Sequence, residues 1–538
     1  MRSFAFGLLA VLTVMFCAAT AKSADSALDS TDYPATIHAL ALKLADSTEI
    51  NREAAAIKLS MLPPEAFSAL DAATTLPDLP ELARANLKKI VERERPWQPA
   101  LLRRLAASKK ESDWLKANAL AAYQKSPHRS PKWDDPAIAA INLYFSNKDA
   151  WPRTRALLEK AIEAGCDDPG ILLLEVRYLD YVGADPQQVI KLHKQIHDAF
   201  VDEPINAYER EWEILNYITA LQGMARGIAR TRHTNTYDDA TLSTLRNLQE
   251  ESLTSFPRVA KQRPPSYTLC NLATSILSNQ DDFHRPMDQV YARIEPTLDA
   301  VLPNDPGPLV VKGIAYVRWA WQAIEFDAAG NVTNKHEKLI NERVDEAEAI
   351  LKKAYQMDPN DPRAADEMMF AIIERGQPRE EMEKWFKRAM DADPNSFGAL
   401  TSKMYYLDPQ WYGTEEDELA FAHECFASQN WQGNGPFMVS SIHMQLANES
   451  LSKDLYYAQP SVWRDIQRLY EPYLAANPDN VAARSDYCYF ACHSKHWNVA
   501  RQQFEAMGAE VPIRKFGSFE NMRDFREKAK SNKVDDAP

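Results

Sequence analysis

Glycine and phosphate-binding loops are scarce in this sequence. The chain has 16 glycines among 538 residues, which is about 3% where about 7% is usual. It contains no G-x-G-x-x-G, no phosphate-loop lysine pattern and no G-x-S-x-G elbow, so the common nucleotide-binding and serine-hydrolase sites are excluded. Helix-forming residues such as Ala, Leu, Glu, Lys and Gln are plentiful, and this composition favours an all-α fold.

An excess of basic residues is also missing. The chain has Lys+Arg 62 against Asp+Glu 76, a formal net charge of −14, and the charges are spread over its whole length. A nucleic-acid-binding surface needs a positive field that holds phosphates. We therefore predict that the protein does not bind nucleic acid.

Long hydrophobic runs are absent beyond residue 21. The chain begins with Met-Arg, continues with an apolar run from Phe4 to Ala19, and then shows Ala19-Thr20-Ala21, which has the form of a signal-peptide cleavage site. The run is shorter than the roughly 20 residues that span a bilayer, so cleavage after Ala21 is favoured over the alternative of a membrane anchor. The sequence predicts an exported protein, periplasmic or extracellular, without a membrane span.

Cysteines are few and odd in number. Those beyond the N-terminal segment are Cys166, Cys270, Cys425, Cys488 and Cys492. An odd, sparse set in a long chain is not a disulfide framework, so at least one thiol stays unpaired within the chain. We interpret each cysteine as a small, buried helix residue.

The pair Cys488 and Cys492, followed by His493, resembles a covalent haem attachment motif. That motif has two residues between its cysteines, whereas this pair has three. Residues at i and i+4 share one helix face whether or not they bind anything. We therefore predict packed thiols without haem or metal, and the alternative is a metal site that uses Cys488, Cys492, His493 or His496.

A second pair with the spacing of metal ligands is His193 and His197, at i and i+4 on a predicted helix. The glutamate of a zinc-protease helix is missing between them. We therefore interpret both as surface or core histidines. The sequence predicts no metal site and no cofactor.

Alanine and proline recur at a fixed spacing in the C-terminal half. Ala389 follows Ala354 by 35 residues, and Pro394 follows Pro359 by the same interval. The pattern resembles the tetratricopeptide repeat (TPR), which has a period of about 34 residues, small residues where two helices touch and a proline after the second helix. The resemblance covers roughly residues 150–185 and 300–508, and it implies an all-α, right-handed α-solenoid of TPR-like helix pairs.

The N-terminal part shows a shorter period. Glu49–Ala54 recurs 32 residues later as Glu81–Asn86, and this unit resembles a HEAT-type repeat. We predict four regions: a signal peptide over 1–21, a HEAT-like helical region over 22–100, an irregular helical-repeat region over 101–300, and a TPR-like region over 301–538.

The segment Tyr405–Gly413 interrupts the period. Its pattern resembles a signature of an uncharacterised bacterial family built on similar helical repeats, and this resemblance implies a bacterial source but no activity. Thr414 and Asp417 have the spacing of a capping box. We therefore predict that the acidic run Glu415–Glu418 is the first turn of a helix, where negative charge suits the helix dipole.

Aromatic residues gather in this turn-rich stretch. The candidate ligand-binding residues are Tyr405, Tyr406, Trp411, Tyr412 and Trp431, which lie close to Gly413, Gly433 and Gly435. Aromatic side chains with polar tips are favoured in recognition. The alternative is that they cap a junction between repeats.

The predicted fold suggests a function by analogy at the level of the fold. We predict an exported, non-catalytic scaffold that presents a helical-repeat groove to a protein or peptide partner. The alternative is an envelope enzyme, a glycan hydrolase or lyase, with its site in the groove near Trp411. A histidine or carboxylate with a strongly shifted pKa inside an aromatic pocket would favour the enzyme.

Overall fold

Helices are the main secondary structure in the described part of the chain. The structure is a computed structural model that describes residues 33–146, 151–182, 184–201, 207–232, 238–280, 285–323, 334–508 and 511–531. Within these ranges every regular element is a helix, and consecutive helices pack against each other in pairs. The all-α solenoid of TPR-like pairs that the sequence predicts is therefore confirmed as the fold class.

The α-helices follow one another along the chain with short connections. They are α1 (Tyr33–Lys43), α2 (Glu49–Ser60), α3 (Phe67–Ala73), α4 (Glu81–Glu94), α5 (Gln98–Lys125), α6 (Asp134–Ser146), α7 (Trp151–Glu163), α8 (Pro169–Val182), α9 (Pro186–Val201), α10 (Ala207–Arg232), α11 (Asp239–Lys261), α12 (Ser266–Gln280), α13 (Met287–Val301), α14 (Gly307–Trp321), α15 (Asn334–Met357), α16 (Pro362–Arg375), α17 (Arg379–Ala392), α18 (Phe397–Leu407), α19 (Glu415–Ala427), α20 (Met438–Glu449), α21 (Lys453–Tyr457), α22 (Pro460–Ala476), α23 (Val481–His493), α24 (Trp497–Met507) and α25 (Phe519–Ser531).

Prolines follow the ends of the repeat helices at the predicted places. α15, α17 and α22 end at Met357, Ala392 and Ala476, in each case just before an Asp-Pro or Asn-Pro pair. Proline lacks the amide hydrogen that a helix needs and restricts the residue before it. The prolines of the 35-residue repeat therefore mark helix boundaries.

The repeated alanines lie in the interior, as the spacing predicts. Ala354 and Ala389 are 1% and 0% exposed, and Ala500 of α24 is likewise buried, at 0% exposure. Helices also approach closely at Gly313 of α14, where an added Cβ would lie 2.3 Å from a methyl carbon of Leu351 on α15. Small residues therefore occupy positions at which two helices of the array meet.

Contacts divide the chain into two compact units. The first takes in the chain up to Leu105, the stretch Asn360–Met369 and the chain from Gly376 onwards, and the second takes in Ala106–Pro359 and Phe370–Arg375. This division follows spatial contact, whereas the predicted regions follow repeat type. The predicted boundaries at residues 100 and 300 therefore stay predictions.

In the first unit the N-terminal helices pack on the C-terminal repeats. α2 lies against α22, and Nδ2 of Asn477 donates a hydrogen bond of 3.5 Å to Sδ of Met61. Glu53 on α2 lies within the field of Arg468 on α22. Repeats of an ideal solenoid contact only their sequence neighbours, so this long-range contact is an addition to simple stacking.

The second unit buries an ion pair in its interior. Nδ1 of His193 lies 2.8 Å from Oε1 of Glu213, and both side chains are fully buried. Burial lowers the pKa of His193, but hydrogen bonds to Asp180 and Glu213 outweigh it and raise that pKa to about 9. His193 is therefore a core histidine, one of the two interpretations that the sequence left open.

We expect a larger side chain at Ala389 to destabilise the first unit. Ala389→Leu would overpack a closed junction and should lower the free energy of unfolding by about 1–3 kcal/mol. Thermal and urea unfolding of the purified protein measure the change. Ala420→Leu is the matched control, since Ala420 is an exposed alanine on α19, and an equal effect of both substitutions would contradict the repeat register.

Candidate functional site

The aromatic segment lies where α18 ends and α19 begins. Tyr405 and Tyr406 belong to the last turn of α18, and Trp411 and Tyr412 lie in the connecting loop, residues 408–413. The rings pair across this turn, with centroids 5.0 Å apart for Tyr405 and Trp411 and 5.1 Å apart for Tyr406 and Tyr412. The structure therefore brings four of the five candidate residues together.

The five candidate residues differ in exposure. Tyr405, Tyr406 and Trp431 are buried at 4%, 3% and 4% exposure, Trp411 is half-buried, and Tyr412 is 43% exposed. Trp431 lies in a different aromatic group, stacked on Tyr473 at 5.8 Å. Only Trp411 and Tyr412 therefore offer substantial surface to a ligand, and ligand contact by the set stays a prediction.

One glycine and one aspartate fix the path of the loop. A Cβ at Gly413 would lie 2.0 Å from the backbone oxygen of Leu407, so this close approach requires glycine. Oδ1 of Asp408 accepts a hydrogen bond of 2.7 Å from the amide of Gln410, and the backbone oxygen of Asp408 accepts one of 2.8 Å from the amide of Trp411. The loop is therefore tightly wound.

The exposed tyrosine rests on the turn between α16 and α17. Gly376 has a φ of +62°, and a Cβ there would lie 3.0 Å from the hydroxyl oxygen of Tyr412. Beside it, the hydroxyl of Tyr406 donates a hydrogen bond of 2.9 Å to the backbone oxygen of Gln377. The inner edge of Tyr412 is thus supported while part of its surface faces solvent.

The predicted capping box at the start of α19 is confirmed. Oγ1 of Thr414 accepts a hydrogen bond of 3.2 Å from the amide of Asp417, and Asp417 also pairs with Arg379 of α17. Glu415 and Glu416 are exposed, as expected for the first turn of a surface helix. The last acid of the run behaves differently.

Glu418 is fully buried at 0% exposure and belongs to a group of three converging carboxyl groups. Nε2 of Gln445 on α20 donates hydrogen bonds of 2.8 Å to Oε1 of Glu418 and 2.6 Å to Oδ2 of Asp408. Oε1 of Glu449, one turn further on, lies 3.5 Å from Nε2 of Gln410, and Asp408 is close enough to act on the charge of Glu449. We call Asp408, Glu418 and Glu449 the carboxyl cluster.

The environment of the carboxyl cluster favours protonated acids. Burial, together with the charges of Asp408, Glu449 and Glu415, raises the pKa of Glu418 to about 9. Burial and the neighbouring Asp408 raise the pKa of Glu449 to about 7, and burial raises the pKa of Asp408. Removing a carboxylate from water and placing it near like charges both disfavour its ionisation.

The carboxyl cluster was not predicted from the sequence, because the acidic run was interpreted only as the first turn of a helix. A signal for Glu418 was present, since Glu418, Phe421, Ala422 and Cys425 follow the i, i+3, i+4, i+7 pattern of an inward stripe. Asp408 and Glu449 carry no comparable signal. Their meeting depends on the path of the loop and on the packing of α20.

The thiols predicted to pack do lie in the interior. Cys166, Cys270, Cys425, Cys488 and Cys492 are buried and form no disulfide. Sγ of Cys488 donates to the backbone oxygen of Ala500 at 3.6 Å, so it lies where α23 meets α24. Burial raises its pKa well above the usual value for a thiol, and the thiolate is the form that ligates metals.

The histidines of the alternative metal site have other contacts. Nδ1 of His493 lies 2.6 Å from Oδ1 of Asp454, and His496 stacks on Trp463 with centroids 3.9 Å apart. Among the described residues, no group of three or more His, Cys, Asp or Glu side chains has an arrangement that could hold a metal ion. The absence of haem and metal stays a prediction.

No helix in the described ranges combines the length and apolar character that a bilayer span requires.

Comparisons with known proteins add little to this description. No family model matches the chain, and no curated protein matches it. Among solved structures it is similar to the human IFIT1 dimer with m7Gppp-AAAA, at 12% identity over 90% of this chain and 96% of that chain with a TM-score of 0.34. A second structure of the human IFIT1 dimer, with PPP-AAAA, gives 12% identity over 90% of this chain and 95% of that chain with a TM-score of 0.33. Similarity at this level carries no information about ligands.

We expect the loop to depend on Gly413. Gly413→Ala would force a Cβ into the backbone of Leu407 and should lower the free energy of unfolding by about 1–3 kcal/mol, since the displaced atoms are backbone. Gly435→Ala is the control, because the nearest atom to a Cβ there is 3.6 Å away. Thermal unfolding compares the two variants, and an unchanged midpoint for Gly413→Ala would show that the loop takes another path.

Proposed function

We propose that this protein is an exported, non-catalytic scaffold that binds a protein or peptide partner, and that Trp411 and Tyr412 contact the partner. One observation carries the proposal: Tyr412 stays 43% exposed although its ring packs on Tyr406 and its hydroxyl lies against the turn at Gly376. Aromatic residues held in place by their surroundings are typical anchors of protein interfaces. A supported side chain also loses little conformational freedom on binding.

The fold supports a scaffold. Stacked helix pairs build extended binding surfaces without any catalytic group. The chain carries a formal net charge of −14, and Glu415 and Glu416 next to the loop are exposed acids. This charge disfavours nucleic acid as the partner, so a protein or peptide is the better proposal.

The carboxyl cluster is the feature that could support the alternative of an enzyme. Raised carboxyl pKa values beside Trp411 are a property that an acid catalyst needs. A catalytic acid must also come within hydrogen-bond reach of its substrate, and Glu418 and Asp408 are 0% and 2% exposed. Burial of these two acids supports a structural role for the carboxyl cluster over catalysis.

Site-specific photo-crosslinking tests the partner site. We expect a photoreactive amino acid in place of Tyr412 to capture a discrete protein from the envelope and secreted fractions of the source cells. Leu42 is the matched control position, since it is 42% exposed and apolar but lies far along the sequence. Equal adducts at both positions, or none at 412, would contradict the proposal.

Affinity measurements with the captured protein complete this test. Tyr412→Ala should weaken binding by more than about tenfold if Tyr412 is an anchor, because anchors contribute about 2 kcal/mol or more. Leu42→Ala should leave the affinity unchanged. Turnover of glycan fragments that is lost in Glu449→Gln would instead favour the enzyme.

Export is the second part of the proposal. The segment 1–21 lies outside the described residues, so its support is the sequence pattern alone. We expect the protein from the source cells to begin at Lys22 when its N-terminus is sequenced. A protein that begins at Met1, or that only detergent extracts, would contradict export.

A further inference from the structure

One part of the second unit is basic although the chain as a whole is acidic. The formal net charge of the chain is −14, yet no Asp or Glu occurs between Ser252 and Gln280, and Arg258, Lys261 and Arg263 are exposed in this stretch. Arg258 and Lys261 lie in the last turn of α11, where positive charge also suits the helix dipole. The dipole accounts for basic residues at this helix end, but not for the arginines that neighbouring elements add.

Two arginines from the region of α13 converge on one carboxylate of α11. Arg293 holds Glu250 through both of its terminal nitrogens, with Nη1 at 2.9 Å from Oε2 and Nη2 at 2.7 Å from Oε1. Arg285, just before α13, donates to Oε2 of the same carboxylate at 3.3 Å. Because two guanidinium groups share a single carboxylate, a positive charge remains, and most of their N–H donors point to other acceptors or to solvent.

This face of α11 borders a cleft of about 290 Å³, whose lining includes Arg210 of α10 and Asn247, Glu250, Glu251, Thr254 and Arg258 of α11. Both acids of the lining already pair with other cations. Glu250 pairs with Arg285 and Arg293, and Glu251 pairs with Arg210. Among the described residues, therefore, neither acid of the cleft pairs with Arg258, and four arginines face two glutamates.

The chemistry of the lining selects the kind of ligand. The planar fork of a guanidinium group matches a carboxylate with two parallel hydrogen bonds, as Arg293 shows on Glu250. Asn247 is exposed, and its side-chain amide can both donate to and accept from a peptide backbone. None of the lining residues is aromatic, whereas single-stranded nucleic acid is bound largely by stacking of its bases on aromatic side chains. An acidic peptide therefore fits the cleft better than a nucleic acid does.

The length of the cleft suits a short extended segment. Between Asn247 and Arg258 the helix rises about 17 Å, at about 1.5 Å per residue. An extended peptide covers this distance with about five residues. A segment of that length can bring one carboxylate to Arg258 and another to the arginines beside Glu250.

We propose that the cleft between α10 and α11 binds an acidic segment of a peptide or protein, and that Arg258, Arg285 and Arg293 hold its carboxylates. This site belongs to the second unit and does not rest on the proposed role of Trp411 and Tyr412. Exposed ion pairs are individually weak and are screened by salt. Binding therefore depends on more than one carboxylate, and its affinity falls as the salt concentration rises.

Fluorescence anisotropy with the purified full chain tests the cleft. The probe is a fluorescein-labelled peptide of about eight residues that alternates glutamate and serine, and the control peptide has glutamine in place of each glutamate. We expect saturable binding of the acidic probe, weakened by salt. Arg258→Gln should weaken it by about tenfold, through the loss of one charge-assisted contact. Arg153→Gln should leave it unchanged, since Arg153 is an exposed arginine on α7 of the same unit.

Four results would overturn the proposal. They are the absence of saturable binding at low salt, equal binding of the glutamine peptide, equal losses in Arg258→Gln and Arg153→Gln, and tighter binding of a labelled oligothymidylate than of the acidic probe. Arg258 is exposed, so we expect its substitution to leave the thermal midpoint of unfolding unchanged. Weaker binding at an unchanged midpoint assigns the loss to the cleft and not to the fold.

Discussion

Each repeat helix carries one apolar stripe, and only a neighbouring helix can cover it. In α15, for example, Ala347, Leu351 and Ala354 are all 0–1% exposed although the helix is rich in charged residues elsewhere. Each stripe must pack on a neighbouring helix. This need sets the helix lengths, the positions of small residues where helices cross and the positions of prolines after helix ends. This single requirement explains why a chain with so few glycines folds as stacked pairs.

The same requirement explains how the aromatic segment differs from the rest. Between α18 and α19 the chain makes a wound loop instead of a simple turn, and Gly413 permits it by approaching the backbone of Leu407. Tyr405 and Tyr406 extend the stripe of α18 inward, so they belong to the core. Trp411 and Tyr412 lie on top of them, and their position is set by the core beneath. The packing of α18 therefore supports one side of Trp411 and Tyr412 and leaves their other side exposed.

The sequence predicted the features that local rules control. The ends of α15 and α17, the burial of Ala354 and Ala389, and the cap at Thr414 follow from spacing and backbone chemistry within about one repeat. It did not predict features that depend on distant segments. The packing of α2 on α22 joins helices that lie far apart in the sequence, since Met61 and Asn477 at this contact are 416 positions apart, and no local sequence pattern predicts it. The burial of Glu418 was not predicted either, although Glu418 begins an inward-facing stripe on α19.

The carboxyl cluster can be assigned to chemistry or to structure, and exposure decides between them. Hydrolysis of a glycosidic bond uses two carboxyl groups that flank the bond and both touch the reacting atoms. Here Glu449 alone lies at the surface, while Asp408 and Glu418 are sealed by the loop and by Gln445. The pKa of all three acids is raised, but a substrate could reach only Glu449, so the carboxyl cluster lacks the second accessible carboxyl group that hydrolysis requires.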